Sequence, residues 1–351
     1  MKRVGILGLP RSGKSTLFEV LLRGAGAQAA ASSGREQIGV VRVPDERVDR
    51  LSALYSPKKT TYAQIQFVDT VAAGQAAPRT QAKGPDLFSS VRTCDTILAV
   101  VRAFDSTSEP SEKGVDPARD LRDLDAELVI NDLAIVEGRV EKLEKELRIG
   151  KKQNEREHAL LVRCRGLLES ERPLRAESFE AEEEKVLKGF QLLTLKPLLV
   201  VVNEGDEGGR ALPDPGPQAL AIGLRAQVER EIVGLPPEDR AAFRAELGVE
   251  EDGLSLVIRA CYRLLGLISF FTVGPDEVRA WTIHDGDKAV DAAGEIHSDL
   301  AKGFIRAEVV PCDRLLEAGG QPQAREKAQV RLEGRDYRVQ DGDCLEIRFN
   351  K

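Results

Sequence analysis

The sequence predicts an α/β chain with a largely parallel, helix-covered sheet, an antiparallel helical hairpin inserted in it, and a small mixed β domain at the end. Three observations carry this expectation. Short, nearly continuous apolar runs at 4–7, 65–68, 96–101 and 198–202, with 219–222 as a weaker fifth, alternate with helical stretches; strands buried on both faces read this way. Between the third and fourth runs, Leu133, Val136, Val140, Leu143 and Leu147 are spaced three, four, three and four residues apart, an apolar seam along one helix. After Gly266 the pattern turns to short alternating stretches punctuated by Asp285-Gly286, Gly319-Gly320, Glu333-Gly334 and Asp341-Gly342.

Taken in order, the first run enters Gly8-Leu9-Pro10-Arg11-Ser12-Gly13-Lys14-Ser15-Thr16, and 17–22 read as the helix that follows. This is G-x-x-x-x-G-K-[ST] in the strand–loop–helix setting that it requires. Loop N–H groups and the helix N-terminus turn positive dipoles toward phosphates. Lys14 supplies a mobile charge to the β- and γ-phosphates, and the Ser15 hydroxyl suits Mg²⁺. Pro10 to Thr16 are therefore candidate nucleotide-binding residues. Asp69 ends the second run, where a second Mg²⁺-side carboxylate belongs; a plain strand-terminating Asp is the alternative. Asn203 and Asp206 follow the fourth run, placed either to read a base edge or to form a turn.

The seam continues in a second helix through Leu160, Cys164, Leu167 and Leu168, with Gly150 and 151–155 as the turn between them. Residues 120–190 thus read as a hairpin insertion, the alternative being helices laid on the sheet. Its tip, 148–165, holds six basic residues and two acidic ones, 6 − 2 = +4. Such a patch suits an RNA backbone or is a solvated helical face. In the last region, 277–282, 304–310, 337–339 and 344–349 read as strands, with a helix beside 299–302.

Composition narrows the function classes. With 42% hydrophobic residues in 351, a disordered chain is excluded. The apolar runs fall far short of the roughly 20 residues that span a bilayer, and the N-terminus lacks a signal-peptide pattern. A cytoplasmic protein without a membrane partner is expected. The net charge of −7 argues against a general nucleic-acid footprint, and no DNA partner is expected. Five scattered cysteines read as buried thiols, and three separated histidines make no metal centre.

Over nearly its whole length the chain resembles the Obg-like ATPase (YchF) family of P-loop proteins. The resemblance rests on Gly8-Leu9-Pro10, Gly13-Lys14-Ser15-Thr16-Leu17-Phe18, Gly39-Val40-Val41-Arg42-Val43-Pro44-Asp45 and Phe67-Val68-Asp69. It extends through Leu193-Thr194-Leu195-Lys196-Pro197, Glu277-Val278-Arg279-Ala280-Trp281-Thr282 and Lys302-Gly303-Phe304-Ile305-Arg306-Ala307-Glu308-Val309. Tyr337, Val339-Gln340-Asp341-Gly342-Asp343 and Arg348-Phe349-Asn350 complete it. The resemblance implies a GTPase-like nucleotide domain over 1–119 and 191–268, a coiled-coil insertion over 120–190, and a TGS domain of β-grasp fold over 269–351. It further implies a preference for ATP, dependence on Mg²⁺, and association with the ribosome or another RNA–protein complex. By ungapped alignment, Ser33 falls on the first switch's Mg²⁺-binding Thr.

Several positions depart from the family pattern. Arg11 stands where the family has Asn; its guanidinium either lies near the phosphates, in place of a monovalent cation, or points to solvent. Ala72 replaces the glycine whose N–H meets the γ-phosphate, and the loop after it is stiffer. The family's proposed catalytic His falls on Ala99, and such a loss costs roughly 10²–10⁴-fold in rate. Asn203-Glu204-Gly205-Asp206 occupies the family's Asn-x-x-Glu segment. An acceptor at Asp206 suits guanine's donors, while the family points to ATP.

The leading expectation is therefore a Mg²⁺-dependent regulatory ATPase acting on ribosomes, with Lys14 and Arg11 at the transferring phosphoryl group and slow turnover. The alternatives are a GTP-binding protein or a hydrolysis-deficient nucleotide-binding scaffold. An RNA-binding module with a vestigial nucleotide site rests on the hairpin tip alone.

Overall fold

In a computed structural model, the structure describes residues 1–24, 28–33, 36–70, 88–105, 114–206, 208–249 and 252–350. In chain order the elements are β1 (Lys2–Leu7), α1 (Lys14–Gly24), β2 (Gln28–Ser33), β3 (Glu36–Arg42), α2 (Glu46–Tyr55), β4 (Lys59–Thr61) and β5 (Gln64–Thr70). Then come α3 (Ser89–Arg92), β6 (Thr96–Ala103), α4 (Pro117–Arg148), α5 (Glu155–Glu169), α6 (Ala181–Lys188), β7 (Leu198–Glu204) and β8 (Ala219–Leu224). After these follow α7 (Ala226–Gly234), α8 (Pro237–Glu246), α9 (Gly253–Leu264), β9 (Leu267–Thr272), β10 (Glu277–His284), α10 (Ala289–Ile296) and α11 (Ser298–Lys302). The last are β11 (Phe304–Pro311), α12 (Cys312–Ala318), α13 (Gln321–Glu326), β12 (Arg331–Glu333) and β13 (Asp343–Phe349).

The chain divides into two compact units, Met1–Val41 with Gln66–Leu264, and Arg42–Ile65 with Leu265–Lys351. The first holds the α/β fold that the apolar runs predict. Its seven strands lie in the order β2-β3-β5-β1-β6-β7-β8. Four of them, β1, β6, β7 and β8, run parallel, with Val4 opposite Thr96, Ile97 opposite Leu198, and Leu198 opposite Ala219. All eight residues of β6 are buried, as a central strand covered on both faces requires. Every expected run of this sheet lies inside one of its strands. The β2–β3 ribbon, antiparallel and less apolar, was not legible.

The hairpin begins on the sheet and leaves it. Asp116 caps α4, accepting from the Arg119 N–H at 2.9 Å, and Pro117 occupies the first turn, where a missing N–H costs nothing. Leu121, Leu124 and Leu128 then pack with Val91, Val101 and Leu198 in the sheet core. The very next residue, Val129, is already in a different cluster, with Val136, Val140 and Leu143 against Leu160, Leu161, Cys164 and Leu168 of α5. One helix thus serves two cores, which joins both readings of 120–190.

Asp132 anchors the point of departure. Fully buried, it accepts from the Leu193 and Thr194 N–H groups at 2.9 and 2.7 Å, and from the Thr194 hydroxyl at 2.7 Å. Burial pushes its pKa up, and these bonds oppose the rise. The basic tip is partly neutralised at its base: Arg163 bonds Glu183 at 3.0 Å, and Arg165 stands 3.6 Å from Glu169.

The second unit is built on a six-stranded sheet, β12-β11-β13-β9-β10-β4. Residues 277–282, 304–310 and 344–349 form strands as expected, but 337–339 contribute only an isolated Lys288–Arg338 bridge. Segment 42–65, read from sequence as nucleotide domain, belongs here. Its β4 extends the sheet in parallel to β10, pairing Lys59 with Glu277. Its α2 carries Arg47, which bonds Asp45 and Asp341 and lies 5.1 Å over the Phe271 ring. Among the described residues, no helix is long and apolar enough to cross a membrane.

Candidate functional site

Buried β1 ends at Leu7, and the chain turns through 8–13 into α1, whose Leu17, Phe18, Val20 and Leu21 are buried. The turn is closed by the Ser12 N–H on Leu9 O at 3.3 Å and the Leu17 N–H on Gly13 O at 2.9 Å. Gly13 has φ +95, and a Cβ there would stand 2.1 Å from Asn203 Nδ2. Both the backbone and the close approach demand glycine. Arg11 holds φ 65 without being glycine, the left-handed region that Asn tolerates far better than Arg. Pro10 and Arg11 are exposed at the apex of the turn.

Lys14 folds back over the loop, its Nζ donating to Gly8 O at 2.8 Å and Leu9 O at 3.4 Å. Burial lowers its pKa, and the Asp69 carboxylate opposes that shift. Asp69, 3% exposed at the end of β5, has its own pKa raised by burial and lowered by Lys14. Among the described residues its Oδ1 is buried without a hydrogen-bond partner, as is the Ser12 hydroxyl. A buried oxygen without a donor is costly unless a cation or ligand completes it. Ser15 is exposed and Thr16 half-buried in the first turn of α1, whose leading N–H groups have no partner within the helix. An oxygen pair of hydroxyl and carboxylate beside a phosphate loop fits Mg²⁺ in donor chemistry. Ser33 ends β2, but its side chain lies outside the described residues, as does Ala72.

The strand ends on the other side of β1 supply the rest. Asn203, 5% exposed at the end of β7, donates from Nδ2 to Ser12 O at 3.0 Å and accepts at Oδ1 from the Ala226 N–H at 3.1 Å. With one bond at each polar atom, this amide ties the phosphate loop to the start of α7. Glu204 also turns away: its carboxylate accepts from the Gly209 and Arg210 N–H groups at 3.2 and 3.0 Å. Asp206 is exposed on the same loop, and its main-chain oxygen accepts from Arg225 at 3.0 Å. At the end of β6, the Arg102 guanidinium lies 4.6 Å over the Phe104 ring. A Cβ on Gly205 would stand 3.4 Å from Phe104 Cβ, so Phe104 walls the loop.

The structure therefore brings the phosphate loop, Asp69 and Asn203 together, with Asp206 exposed on the loop after β7. Ala99 is different. It is fully buried in the β6 core with Leu7, Leu124 and Val200. Its methyl packs in that core, in register with Leu7, the residue that enters the phosphate loop. Ala226, Arg225 and Phe104 went unread in the sequence. Ala226 acts through its main chain, which leaves no trace in residue type.

Residues 3–136 match a family model described as 50S ribosome-binding GTPase, and residues 267–350 match the YchF GTPase C-terminal model, described as a protein of unknown function (DUF933). The ribosome-binding ATPase YchF of Bacillus subtilis (strain 168) is 40% identical over 365 residues, covering 99% of this chain and 98% of the relative. Its namesake in Escherichia coli O157:H7 is 36% identical over 360 residues, covering 99% of each. The solved YchF GTPase of Schizosaccharomyces pombe superposes with a TM-score of 0.84 at 30% identity, over 99% of this chain and 97% of that one.

Proposed function

The chain belongs to the YchF family, and from that premise we propose that it is a Mg²⁺-dependent regulatory ATPase that acts on ribosomes in the cytoplasm. Ribosome association is carried over from relatives so named. The nucleotide half rests on one observation, the Asp69 Oδ1, buried with no partner among the described residues and facing the Lys14 charge beside the phosphate loop.

In this reading the β- and γ-phosphates lie on the N–H groups of 12–16, and Lys14 Nζ exchanges Gly8 O and Leu9 O for phosphate oxygens. Ser15 and Asp69 would hold Mg²⁺, with Ser33 as a further candidate ligand, and the ion would supply positive charge against that which grows as the γ-phosphoryl leaves. Water attacks the γ-phosphorus in line, the bond to the ADP oxygen breaks, and Lys14 with Arg11 stabilises the transferring group. The family favours ATP, whereas an acceptor at Asp206 favours GTP. Glu204, folded onto its own loop, reads neither base.

Phosphate release in the presence of ribosomes tests the reading. The wild-type chain should turn over MgATP at a rate that ribosomes change, and Lys14→Ala should fall to background. Turnover equal in the two proteins contradicts the proposal. Nucleotide binding without release from the wild type favours the scaffold alternative.

A further inference from the structure

We propose that Arg225 is a positioning residue for recognition of the nucleotide base, clamping the Asp206 loop through its main chain. This rests on the nucleotide reading above and adds a role that neither the phosphate-loop motif nor the family resemblance assigns to this residue.

Arg225 springs from a fixed point. It lies between β8 and α7, and the next residue, Ala226, donates its N–H to the Asn203 amide that also holds Ser12 O. The backbone of Arg225 is thus tied to the phosphate loop by two bonds in series. From there the guanidinium spans a gap. One nitrogen donates to Asp206 O at 3.0 Å, and the other to Leu247 O, at the end of α8, at 3.2 Å.

The stem of Arg225 lies along the same loop. A Cβ on Gly208, which has φ +61, would stand 3.5 Å from Arg225 Cδ and equally 3.5 Å from Glu204 Oε2. The loop is therefore fixed from within by Glu204, through the Gly209 and Arg210 N–H groups, and from outside by Arg225. Glu204 sets the turn, and Arg225 sets where the turn sits against the strand ends.

A planar fork with donors in fixed directions suits two separated carbonyls, whereas lysine offers a point charge on a flexible stem. Removing the clamp leaves the Asp206 loop to be ordered at the moment the nucleotide binds, and that cost falls on the base side. The phosphate side, held by residues 8–16, does not share it. Affinity for base-bearing ligands should drop while affinity for a bare phosphate chain stays.

Calorimetric titration of the full chain with MgATP, MgGTP and Mg-tripolyphosphate separates the two sides. Arg225→Ala should weaken both nucleotides about tenfold and leave tripolyphosphate within about twofold. Arg225→Lys should fall between, and decides the matter if the alanine variant does not fold. Unchanged nucleotide affinity in these variants overturns the proposal. So does an equal loss for all three ligands, which makes Arg225 a fold residue. A wild-type chain that binds neither nucleotide overturns the nucleotide reading and this inference with it.

Discussion

Arg11 carries a backbone cost in the phosphate loop. At φ 65 its side chain crowds the backbone in a way that Asn, common in the left-handed region, does not. Arg11→Asn should stabilise the nucleotide-free protein by about 0.5–1 kcal/mol in urea unfolding. If Arg11 stabilises the transferring phosphoryl, the same variant should lower the rate of phosphate release. Asp69 gives a second residue-scale expectation. Its folded pKa is raised by burial, so the protonated form favours the fold, and stability is lost as pH rises through that value. Asp69→Asn should leave the nucleotide-free protein as stable or more stable at neutral pH, while removing the Mg²⁺-dependent part of the thermal shift with ATP. In the wild type, that shift should grow as pH rises through the Asp69 pKa, since only the carboxylate holds the ion. These residues were legible because a phosphate loop needs particular residue types at a fixed spacing. For Asn203 residue type alone left the role open, because a base edge and a main-chain clamp use the same amide.

Among the elements, strands buried on both faces could be read from their unbroken apolar runs, and the long seam disclosed the hairpin. Where the hairpin leaves the sheet could not be read, because Leu121, Leu124 and Leu128 keep the same helical period as the seam that follows. The anchor is a single carboxylate, Asp132, fully buried and facing the Leu193 and Thr194 N–H groups, the Thr194 hydroxyl and, at 3.4 Å, the Arg92 guanidinium. Asp132→Ala leaves two buried N–H groups unpaired and should cost about 3 kcal/mol, read by urea unfolding. Thr194→Val removes only the hydroxyl bond and should cost about 1 kcal/mol. This contact supplies a physical reason for the Leu193-Thr194-Leu195-Lys196-Pro197 block: the segment meets the hairpin base on one side and starts β7 on the other. The basic tip is weaker than its count suggests, since Arg163 and Arg165 are spent on Glu183 and Glu169.

For the whole molecule, the unexpected feature is the second unit's use of Arg42–Ile65. Local patterning assigned this segment by proximity in sequence, and nothing in an amphipathic helix or a three-residue strand tells which sheet will accept it. In the structure β4 pairs with β10, the Lys58 N–H bonds Pro275 O at 3.1 Å, and the Gln321 N–H bonds the Tyr55 hydroxyl at 3.0 Å. A chain ending at residue 264 should therefore lose amide protection at 59–61, while β1, β6 and β7 keep theirs, as read by hydrogen exchange. Arg47→Ala removes charged bonds to Asp45 and Asp341 and the contact with Phe271, and should destabilise the second unit by about 2 kcal/mol in urea unfolding.

The central claim is that residues 8–16, Asp69 and Asn203 form a working nucleotide site, and calorimetric titration of the nucleotide-free chain with ATP in the presence and absence of Mg²⁺ tests it most directly. Binding should be saturable, need Mg²⁺ for full affinity, be lost in Lys14→Ala, and lose its Mg²⁺ dependence in Asp69→Asn. Binding that is indifferent to both Mg²⁺ and Lys14, or no binding at all, would contradict it.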